Sequence, residues 1–448
     1  MAALPGPRSV FFGLFLSRSL RRDRLGSLKR LADEYGDIAA FRVGPQRLVL
    51  LNHPDYVEDV LVTRARLFKK GRALERAKRL LGEGLLTSEG DLHRRQRRLS
   101  QPAFHKQRVA AYADTMVAHA QRTAARWRDG EALDISSEMN RLTLTIVGET
   151  LLGTDVEAEA GGVREALTTV FDAFPMTMSP FAEILERLPL PIVRRYARAQ
   201  EVLDTLIYRI IDERRGKPDD RGDLLSMLLL ARDDEEDGGR MSDAQLRDEV
   251  MTIFLAGHET TANALAWTWH LLARHPDVEA RLHQEIGAVL DGDPPTAADV
   301  TRLPYTRMVL AESMRLYPPA WAVGRRAIGD VEIGGYTIPK GTVVLFSQYL
   351  LHRDARFFPD PERFDPDRWL PERQKGRPKF AYFPFGGGRR VCIGEPFAWM
   401  EGILVLATLA EQWRMESLET APVPLQPAIT LRPAHGIRMR AHRRAGGT

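Results

Sequence analysis

The segment Phe383-Pro-Phe-Gly-Gly-Gly-Arg-Arg-Val-Cys-Ile-Gly-Glu-Pro-Phe-Ala398 contains the only cysteine, Cys392, in a chain of 448 residues. Its glycines permit backbone conformations that let amide N–H groups approach the sulfur closely. Pro396 suits the first turn of a helix, and the positive end of that helix, together with Arg389 and Arg390, favours the anionic thiol. The segment therefore predicts a loop that holds a thiolate. A soft anionic ligand with a single attachment to the protein suits a heme iron.

Other kinds of site fit this loop less well. A lone cysteine is more often a small buried hydrophobic residue, but the glycines and arginines around Cys392 argue against that. A phosphate-binding loop would need Gly-Lys-Ser or Gly-Lys-Thr, where this chain has Gly388-Arg389-Arg390. Structural zinc sites use several Cys and His ligands. A nucleophilic cysteine would need a positioned histidine and an Asn or Asp, and the sequence alone leaves that alternative open.

Composition limits the class of protein. A hydrophobic content of 44%, spread evenly, indicates one large core rather than several linked domains. The net charge of +4 is too weak to indicate a nucleic-acid partner. The apolar run at residues 10–16 is far shorter than the roughly 20 residues that span a bilayer, and basic residues follow it, the wrong order for a signal peptide. We expect a cytoplasmic monomer without an integral membrane anchor; peripheral membrane contact through residues 10–16 stays open.

The pattern along the chain predicts a mainly α protein with a smaller β portion. Residues 38–52 indicate two short strands about a Gly-Pro turn, and strands return at residues 330–346 and as a hairpin at 427–440. Apolar residues recur at helical spacing in four segments between these regions: 109–127, 142–152, 197–215 and 223–231. Polar breaks at 216–222 and 233–239 are predicted to be solvated loops.

A long helix is predicted from the capping box Ser242-Asp-Ala-Gln245 to the His275-Pro276 breaker. Its roughly 30 residues would extend about 45 Å. The middle of the helix reads Phe254-Leu-Ala-Gly-His-Glu-Thr-Thr-Ala262, with apolar sequence on both sides that indicates burial. Gly257 weakens the helix and would let a flat ligand approach, and Thr260 or Thr261 can bond back to a carbonyl and open the helix locally. Buried polar groups need partners, so this cluster is predicted to be functional.

These two segments resemble the cytochrome P450 family of heme-thiolate monooxygenases. Phe385, Gly388, Arg390, Cys392 and Gly394 match the heme-binding signature Phe-x-x-Gly-x-Arg-x-Cys-x-Gly, and residues 256–261 match the motif Ala-Gly-x-Glu-Thr-Thr. The resemblance implies the family's single triangular domain over residues 28–440, with a long central helix over the heme. Residues 1–27 would be an N-terminal extension and residues 441–448 a tail.

The resemblance also implies the roles of individual residues toward heme b. Cys392 would be the axial iron ligand, which pushes electron density toward bound oxygen and favours O–O cleavage. Phe385 would pack on the sulfur side of the heme, and Arg390 would pair with a propionate. Further contacts with the heme are expected from Gly386, Ala256 and Gly257.

In the long helix the resemblance implies two catalytic residues. Thr260 would organise hydrogen bonds to dioxygen at the iron, and Glu259 would relay protons from solvent. His258 is expected to be a structural or salt-bridging histidine rather than an iron ligand.

A structural triad is implied by two more motifs. Glu312-Ser-Met-Arg315 places opposite charges three residues apart on one helix face, which alone is commonplace on protein surfaces. It gains weight from the order in which the long helix, this motif, Pro361-Glu-Arg-Phe364 and the cysteine loop follow one another. The family uses Glu312, Arg315 and Arg363 as a buried triad that stabilises the fold.

The basic segment at residues 92–104 departs from the family pattern Trp-x-x-x-Arg. Counted back from Pro102, His93 takes the tryptophan position and Arg97 the arginine position, and a histidine can still donate a hydrogen bond to a carboxylate. The resemblance makes Arg97, Arg325 and Arg390 the main candidates for pairing with the heme propionates. Residues such as Arg94, Arg95 and Arg98 could help to dock an acidic redox partner.

The predicted activity is the insertion of one oxygen atom from O2 into an apolar small molecule, by hydroxylation or epoxidation. No flavin or nicotinamide domain follows the cysteine loop, so a ferredoxin or flavodoxin with its NAD(P)H-dependent reductase is expected to supply electrons. An apolar lid of residues such as Phe171 indicates a terpenoid, steroid or fatty acid as substrate. Its other members are Phe174, Met176, Met178, Phe181, Ile184 and Leu185. The alternative is a non-catalytic heme-thiolate sensor, which would keep Cys392 but would not need Glu259 and Thr260.

Overall fold

The computed structural model describes residues 3–7, 14–154, 160–177, 188, 190–216, 219–232 and 239–444. Its internal contacts divide the chain into two compact units. We call Met1–Arg76 with Met314–Cys392 the cysteine-loop unit, and Ala77–Ser313 with Ile393–Thr448 the long-helix unit. Within the described residues, the helices are either too short or too polar to cross a membrane.

The cysteine-loop unit is built on a five-stranded sheet in the order β1-β2-β8-β5-β3. Strands β1 and β2 are antiparallel around Gly44, which has φ +60°, so the two strands predicted at residues 38–52 are confirmed. Strand β8 runs parallel to β2, and β6 and β7 form a separate hairpin, which confirms the strands predicted at 330–346. The strands are Ile38–Val43 (β1), Gln46–Leu51 (β2), Phe68–Lys70 (β3), Val323–Ala327 (β5), Val331–Ile333 (β6), Tyr336–Ile338 (β7) and Val343–Phe346 (β8).

The C-terminal half of strand β2 is apolar because both of its faces are buried. Val49 and Leu51 pack into one cluster with Phe346, whereas Leu50 packs on the opposite face against Leu28. A strand buried on both faces needs a continuous apolar run instead of an alternating pattern. The helices of this unit are Leu14–Arg22 (α1), Arg24–Tyr35 (α2), Pro54–Glu58 (α3), Gln348–Leu351 (α15) and Pro371–Gln374 (α16).

The long-helix unit is mostly helical. Two further helices, Arg72–Leu81 (α4) and Pro304–Leu316 (α14), contain the positions at which the chain is divided. The helices of the unit itself are Gly90–Ser100 (α5), Lys106–Ala111 (α6), Ala113–Arg126 (α7), Ile135–Leu152 (α8), Ala160–Thr177 (α9), Pro191–Arg215 (α10), Leu224–Leu230 (α11), Asp243–Leu272 (α12), Pro276–Leu290 (α13) and Glu395–Gln412 (α17).

Helix α12 is the predicted long helix, with 30 residues. Its capping box is formed as predicted: the Ser242 hydroxyl accepts from Gln245 N at 3.3 Å, and the Gln245 side chain accepts from Ser242 N at 3.0 Å. It packs along α8, where the Thr143 hydroxyl donates to the carbonyl of His258 at 3.0 Å. Phe254, Trp267 and Trp269 of α12 are fully buried.

The other helices predicted in this unit are present, with one interruption. The pattern at residues 109–127 is divided into α6 and α7 at Tyr112, whose hydroxyl donates to the carbonyl of Gly222 at 3.0 Å. The predicted loop at residues 216–222 is described except for residues 217 and 218. Of the loop predicted at 233–239, only Gly239 lies within the described residues.

The predicted C-terminal hairpin is only partly correct. Strands β10 and β11 form a hairpin, but β12 leaves it and lies between β4 and β9 in a second sheet. The chain is redirected after Pro433, which cannot donate to a ladder, through Gly436 with φ +79°. The strands are Ala132–Asp134 (β4), Trp413–Ser417 (β9), Leu425–Pro427 (β10), Leu431–Pro433 (β11) and Arg438–Arg443 (β12).

Candidate active site

The cysteine loop has the backbone that its glycines predict. Gly386 and Gly388 have φ +73° and +65°, and a Cβ on Gly388 would lie only 2.0 Å from the carbonyl oxygen of Leu61. The amide of Cys392 donates to the carbonyl of Phe385 at 2.9 Å, which closes the loop. The Cys392 side chain is exposed, while those of Phe385 and Arg390 are half-buried. The loop thus presents one accessible thiol beside an aromatic ring and a guanidinium group of the same loop.

A buried histidine of the cysteine-loop unit supports this loop, and a predicted propionate partner lies in the sheet of the same unit. His352, which is fully buried, accepts from the amide of Phe383 through Nε2 at 3.0 Å. Burial and the charges of Arg315 and Arg353 hold the pKa of His352 well below its usual range, so the ring is neutral and can accept. The predicted propionate partner Arg325 lies in β5, half-buried, and its Nη1 donates to the carbonyl of Gly324 at 3.0 Å.

The predicted triad is found in part. Arg315 is fully buried, and its guanidinium donates to the carbonyls of His352 at 2.8 Å and Pro361 at 2.6 Å. It also donates to the main-chain carbonyl of Arg363 at 3.0 Å. Glu312 is fully buried as predicted. These contacts tie α14 to the segment around residue 361, within the cysteine-loop unit, through a buried cation.

The prediction that the Arg363 side chain is buried is wrong, because that side chain is exposed. Its neighbour Phe364 is 3% exposed and anchors the turn, so the side chain before it points outward. The buried arginine is Arg368, 6% exposed, which donates to the carbonyls of Pro359 and, at 2.6 Å, Asp360. Pro366-Asp-Arg-Trp369 repeats the Pro-acid-Arg-aromatic pattern of Pro361-Glu-Arg-Phe364 five residues later, and sequence alone does not choose between the two arginines.

In the long-helix unit, α12 carries a window of accessible residues within a buried helix. Ala256 is exposed, and Gly257 and Thr260 are half-buried, whereas the residues from 251 to 255 and from 261 to 272 are buried. The Thr260 hydroxyl donates to the carbonyl of Ala256 at 2.8 Å, and that of Thr261 to the carbonyl of Gly257 at 3.4 Å. The predicted back-bonds are therefore present. The helix itself continues without a break, so the predicted local opening does not occur.

The missing side chain of Gly257 also serves a packing contact. A Cβ at this position would lie 3.2 Å from Cγ2 of Val147, so the glycine lets α12 approach α8 closely. Gly257 is itself half-buried, so the approach of a flat ligand to Gly257 and Ala256 stays a prediction.

Glu259 is the catalytic carboxyl predicted from sequence, and it is 5% exposed. Its Oε1 accepts from the hydroxyl of Thr430 at 2.9 Å. Burial raises the pKa of Glu259 to about 7, and the Thr430 hydrogen bond and the charge of Arg432 oppose that rise. A carboxyl with this pKa can both hold and release a proton near neutral pH.

His258 is a buried packing residue, as predicted, and within the described segments it forms no salt bridge. Its Nδ1 donates to the carbonyl of Phe254 at 3.0 Å, and its ring packs 6.3 Å from that of Phe171. Burial lowers the pKa of His258 to about 4, so the ring is neutral.

The two predicted propionate partners of the basic segment lie on one face of α5. His93 is buried and Arg97 is half-buried, four residues apart. Arg94 and Arg98 are exposed, and Arg94 pairs with Asp91. Arg95 donates to the carbonyl of Gly239 at 3.4 Å.

The predicted apolar lid is largely outside the described residues. Phe171 is buried and packs on His258, which is core packing. The side chains of Phe174 and Met176 are not described, and Met178, Phe181, Ile184 and Leu185 lie outside the described residues.

Sequence reasoning missed three polar residues of this region. Thr430 contacts both Glu259 and Asn263, and Glu401 is a fully buried acid on α17. Burial raises the pKa of Glu401 to about 8, and the hydroxyl of Thr261 opposes that rise. Thr430 lies 171 positions from Glu259, so no local pattern could have linked them.

The residues present fit a heme group. Cys392 offers an accessible soft donor at a point where the backbone leaves no room for a side chain on Gly388. Half-buried arginines lie in the cysteine loop and in β5, as carboxylate partners require. In the long-helix unit, the small residues at the window of α12 leave an apolar surface beside a hydroxyl and a buried acid.

Comparisons with known proteins agree with this assignment. The cytochrome P450 family model matches residues 4–438. The chain is 44% identical to cyclooctatin synthase of Streptomyces melanosporofaciens over 89% of this chain and 87% of that protein. It is 43% identical to cyclooctat-9-en-7-ol 5-monooxygenase of the same organism, over 87% and 84%. It is 40% identical to pentalenene oxygenase of Streptomyces avermitilis, over 92% of both chains.

Solved structures share the fold over nearly the whole chain. The heme domain of cytochrome P450DA has a TM-score of 0.90 at 29% identity, and the alignment covers 99% of this chain and 98% of that one. The retinoic acid bound cyanobacterial CYP120A1 has a TM-score of 0.89 at 26% identity, over 99% and 100%. The chain therefore belongs to the cytochrome P450 family and is a monooxygenase that uses heme b and O2.

Proposed function

We propose that this monooxygenase hydroxylates or epoxidises a terpenoid. The observation that carries the proposal is the identity of 40 to 44% to three enzymes, of which two are named for the terpenoid substrates cyclooctat-9-en-7-ol and pentalenene. The small and apolar residues at the window of α12 support an apolar substrate. A steroid or a fatty acid is the competing substrate class.

Cys392 is proposed to hold the heme iron through its sulfur, and Arg390, Arg325, Arg97 and His93 would pair with the propionates. When bound, the heme supplies the activation of O2 and the transfer of one oxygen atom to the substrate, while the other atom leaves as water. The accessible thiol of Cys392 supports the first role. The half-buried or buried positions of the four basic side chains support the second, because a basic group sheltered from bulk water interacts more strongly with a carboxylate.

Glu259 and Thr260 are proposed to deliver the protons that form this water. Glu259 exchanges protons near neutral pH, because burial raises its pKa to about 7. Thr260 is accessible, and its hydroxyl can leave the carbonyl of Ala256 to donate to a neighbouring acceptor. Adjacent side chains on a helix point about 100° apart, so ordered water would have to connect the buried acid to the accessible hydroxyl.

The electron pair that balances the reaction is proposed to come from a separate ferredoxin or flavodoxin with its NAD(P)H-dependent reductase. The exposed cations Arg94 and Arg98 would attract an acidic partner, although Asp91 offsets part of the charge of Arg94. A cytoplasmic location stays a prediction.

The role of Cys392 is tested with the reduced, carbon monoxide-bound spectrum. We expect Cys392→Ala to lose the thiolate-type Soret band and all turnover, and Cys392→Ser to keep the loop but lose the same band. A thiolate-type spectrum in either variant would contradict the assignment.

The substrate class is tested by titrating the ferric enzyme with cyclic terpenes, steroids and fatty acids. We expect cyclic terpenes to give low-micromolar high-spin shifts in the Soret band, and steroids and fatty acids to bind at least ten times more weakly, a difference of about 1.4 kcal/mol. Product analysis with a surrogate ferredoxin and reductase follows for the tightest ligand. Preferential binding and oxidation of a steroid or a fatty acid would contradict the terpenoid assignment.

A further inference from the structure

The carboxyl of Glu259 is held by the turn of the β10–β11 hairpin. Thr430, 4% exposed, is the last residue of this turn, and its Oγ1 lies 2.9 Å from Oε1 of Glu259. Asn263, 2% exposed and one helical turn after Glu259, lies with Nδ2 3.2 Å from the same Thr430 Oγ1. The three side chains form a buried chain of hydrogen bonds between α12 and the hairpin.

The chemistry of the three groups fixes the direction of these bonds. The amide nitrogen of Asn263 can only donate, so the Thr430 oxygen accepts from it. The single hydroxyl proton of Thr430 is then free to be donated to Glu259. A donated hydrogen bond stabilises the carboxylate form of Glu259, against the cost of burying its charge.

Only one charged group acts on Glu259 from the neighbouring elements that the structure describes. Arg432 lies in β11, and its charge favours the carboxylate. Its guanidinium hydrogen-bonds elsewhere, to Asp172 on α9 at 2.7 Å and to the side-chain oxygen of Gln426 at 2.9 Å. Thr430 is therefore the group that fixes where the Glu259 carboxyl lies.

We propose that Thr430 is a positioning residue for proton delivery, which holds the Glu259 carboxyl in place and whose own hydroxyl is oriented by Asn263. This rests on the relay role proposed above for Glu259. Without the hydroxyl, the buried acid would keep its proton more tightly and would be free to rotate away from the accessible window of α12. Proton delivery would slow, while substrate binding would not change.

The test compares Thr430→Val, which is nearly isosteric but lacks the hydroxyl, with Thr430→Ser, which retains it. The carbonyl band of the protonated Glu259 carboxyl is followed by infrared difference spectroscopy during a pH titration of the ferric holoenzyme. Glu259→Gln assigns the band. We expect the apparent pKa to rise by about one pH unit in Thr430→Val, as loss of a hydrogen bond to a charged group predicts, and to stay unchanged in Thr430→Ser.

Turnover provides a second measurement. We expect Thr430→Val to lower kcat about tenfold and to raise the solvent isotope effect, with KM unchanged, while Thr430→Ser keeps the wild-type values. Asn263→Ala, which leaves Thr430 in place, should shift both measurements in the same direction by a smaller amount. This variant keeps the proposal testable if Thr430→Val does not fold.

The two proposals fail in different ways. A Glu259 titration in Thr430→Val that matches wild type, with Glu259→Gln impaired, overturns the role of Thr430 alone. Unchanged kcat and isotope effect in Glu259→Gln overturn the relay role itself, and with it the contribution of Thr430 to proton delivery.

Discussion

Two glycines of the cysteine loop differ in how much space surrounds them. Gly388 has a positive φ, and a Cβ would lie 2.0 Å from the carbonyl oxygen of Leu61, so the backbone must move to accept any side chain. Gly386 also has a positive φ, but nothing lies within 4 Å of its Cβ position. The two positions share the cost of a left-handed backbone and differ in steric room.

We expect Gly388→Ala to abolish stable heme incorporation at Cys392, because the clash displaces the backbone that carries the sulfur. Gly386→Ala should cost only about 1 to 2 kcal/mol from its left-handed conformation and retain heme. Heme content and the carbon monoxide-bound spectrum of both variants measure this difference. Equal heme loading in the two variants would show that the contact with Leu61 does not shape the loop.

The two arginines of the repeated Pro-acid-Arg-aromatic pattern differ in burial. Arg368 is buried and donates to main-chain carbonyls, whereas Arg363 is exposed. Arg368→Ala should destabilise the protein by about 2 to 4 kcal/mol, because two main-chain carbonyls lose a charged hydrogen-bond donor. Arg363→Ala should change stability by no more than about 0.5 kcal/mol, as is usual for surface positions. Thermal unfolding of the two variants decides between the arginines, and a larger effect at Arg363 would reverse the assignment.

The sequence predicts those site residues that belong to local patterns, and it misses those that depend on contacts between distant parts of the chain. The signature around Cys392 and the motif around Glu259 are local patterns, so both were identifiable without a structure. Whether Arg363 or Arg368 is buried depends on how the segment folds around the buried Phe364, and the sequence does not show this. Thr430 depends on a contact over 171 positions, which only the fold brings about.

Helix α12 carries Glu259 and Thr260, and it also holds a neighbouring loop segment in place. Its N-terminal half holds the segment at residues 82–88: the amide of Glu83 donates to Asp248 Oδ2 at 2.8 Å, and that of Leu85 to Glu249 Oε2 at 3.0 Å. A Cβ on Gly84 would lie 2.2 Å from the hydroxyl of Thr252, so the segment lies directly against the helix. From the layout of the cytochrome P450 family, we propose that residues 72–86 line the substrate pocket.

We expect Glu249→Leu to change both stability and product distribution, because the buried amide of Leu85 loses its acceptor and the segment shifts. The loss should be about 1 to 3 kcal/mol. Glu249→Gln keeps an acceptor oxygen and is the matched control. Thermal unfolding and product ratios with the best terpene substrate measure the effect. A leucine variant with wild-type stability and products would contradict the anchoring of this segment.

Element boundaries show where sequence patterns are reliable. The capping box fixed the start of α12 correctly, because its reciprocal hydrogen bonds are local. The C-terminal hairpin was predicted too long, since the pairing of β12 with β4 and β9 is decided by strands far away in the chain. Tertiary pairing overrides a local strand pattern in such cases.

At the scale of the whole molecule, burial perturbs several ionisable groups in opposite directions. It lowers the pKa values of His258, His270 and His283 to about 4, from 6.5. Their contribution to stability is complete above about pH 6.5 and is lost as the pH falls toward 4. Burial raises the pKa of Glu259 to about 7 and that of Glu401 to about 8, from 4.5. The stabilisation from these protons is complete below pH 4.5 and is lost as the pH rises through 7 and 8.

Of these five residues, only Glu259 and Glu401 change their protonation between pH 6.5 and 8. They alone among the five should therefore make the free energy of unfolding depend on pH in this range, and Glu401 should contribute most. We expect the free energy of unfolding to fall by about 2 kcal/mol over this range, and the Tm by about 2 °C, as Glu401 loses its proton. Glu401→Gln keeps the shape and stays neutral, so its Tm should fall by less than half as much. Thermal unfolding of the holoenzymes, followed by circular dichroism and Soret absorption, measures both slopes. If wild type and Glu401→Gln change in parallel from pH 6.5 to 8, then Glu401 does not exchange its proton in this range and the slope does not come from it.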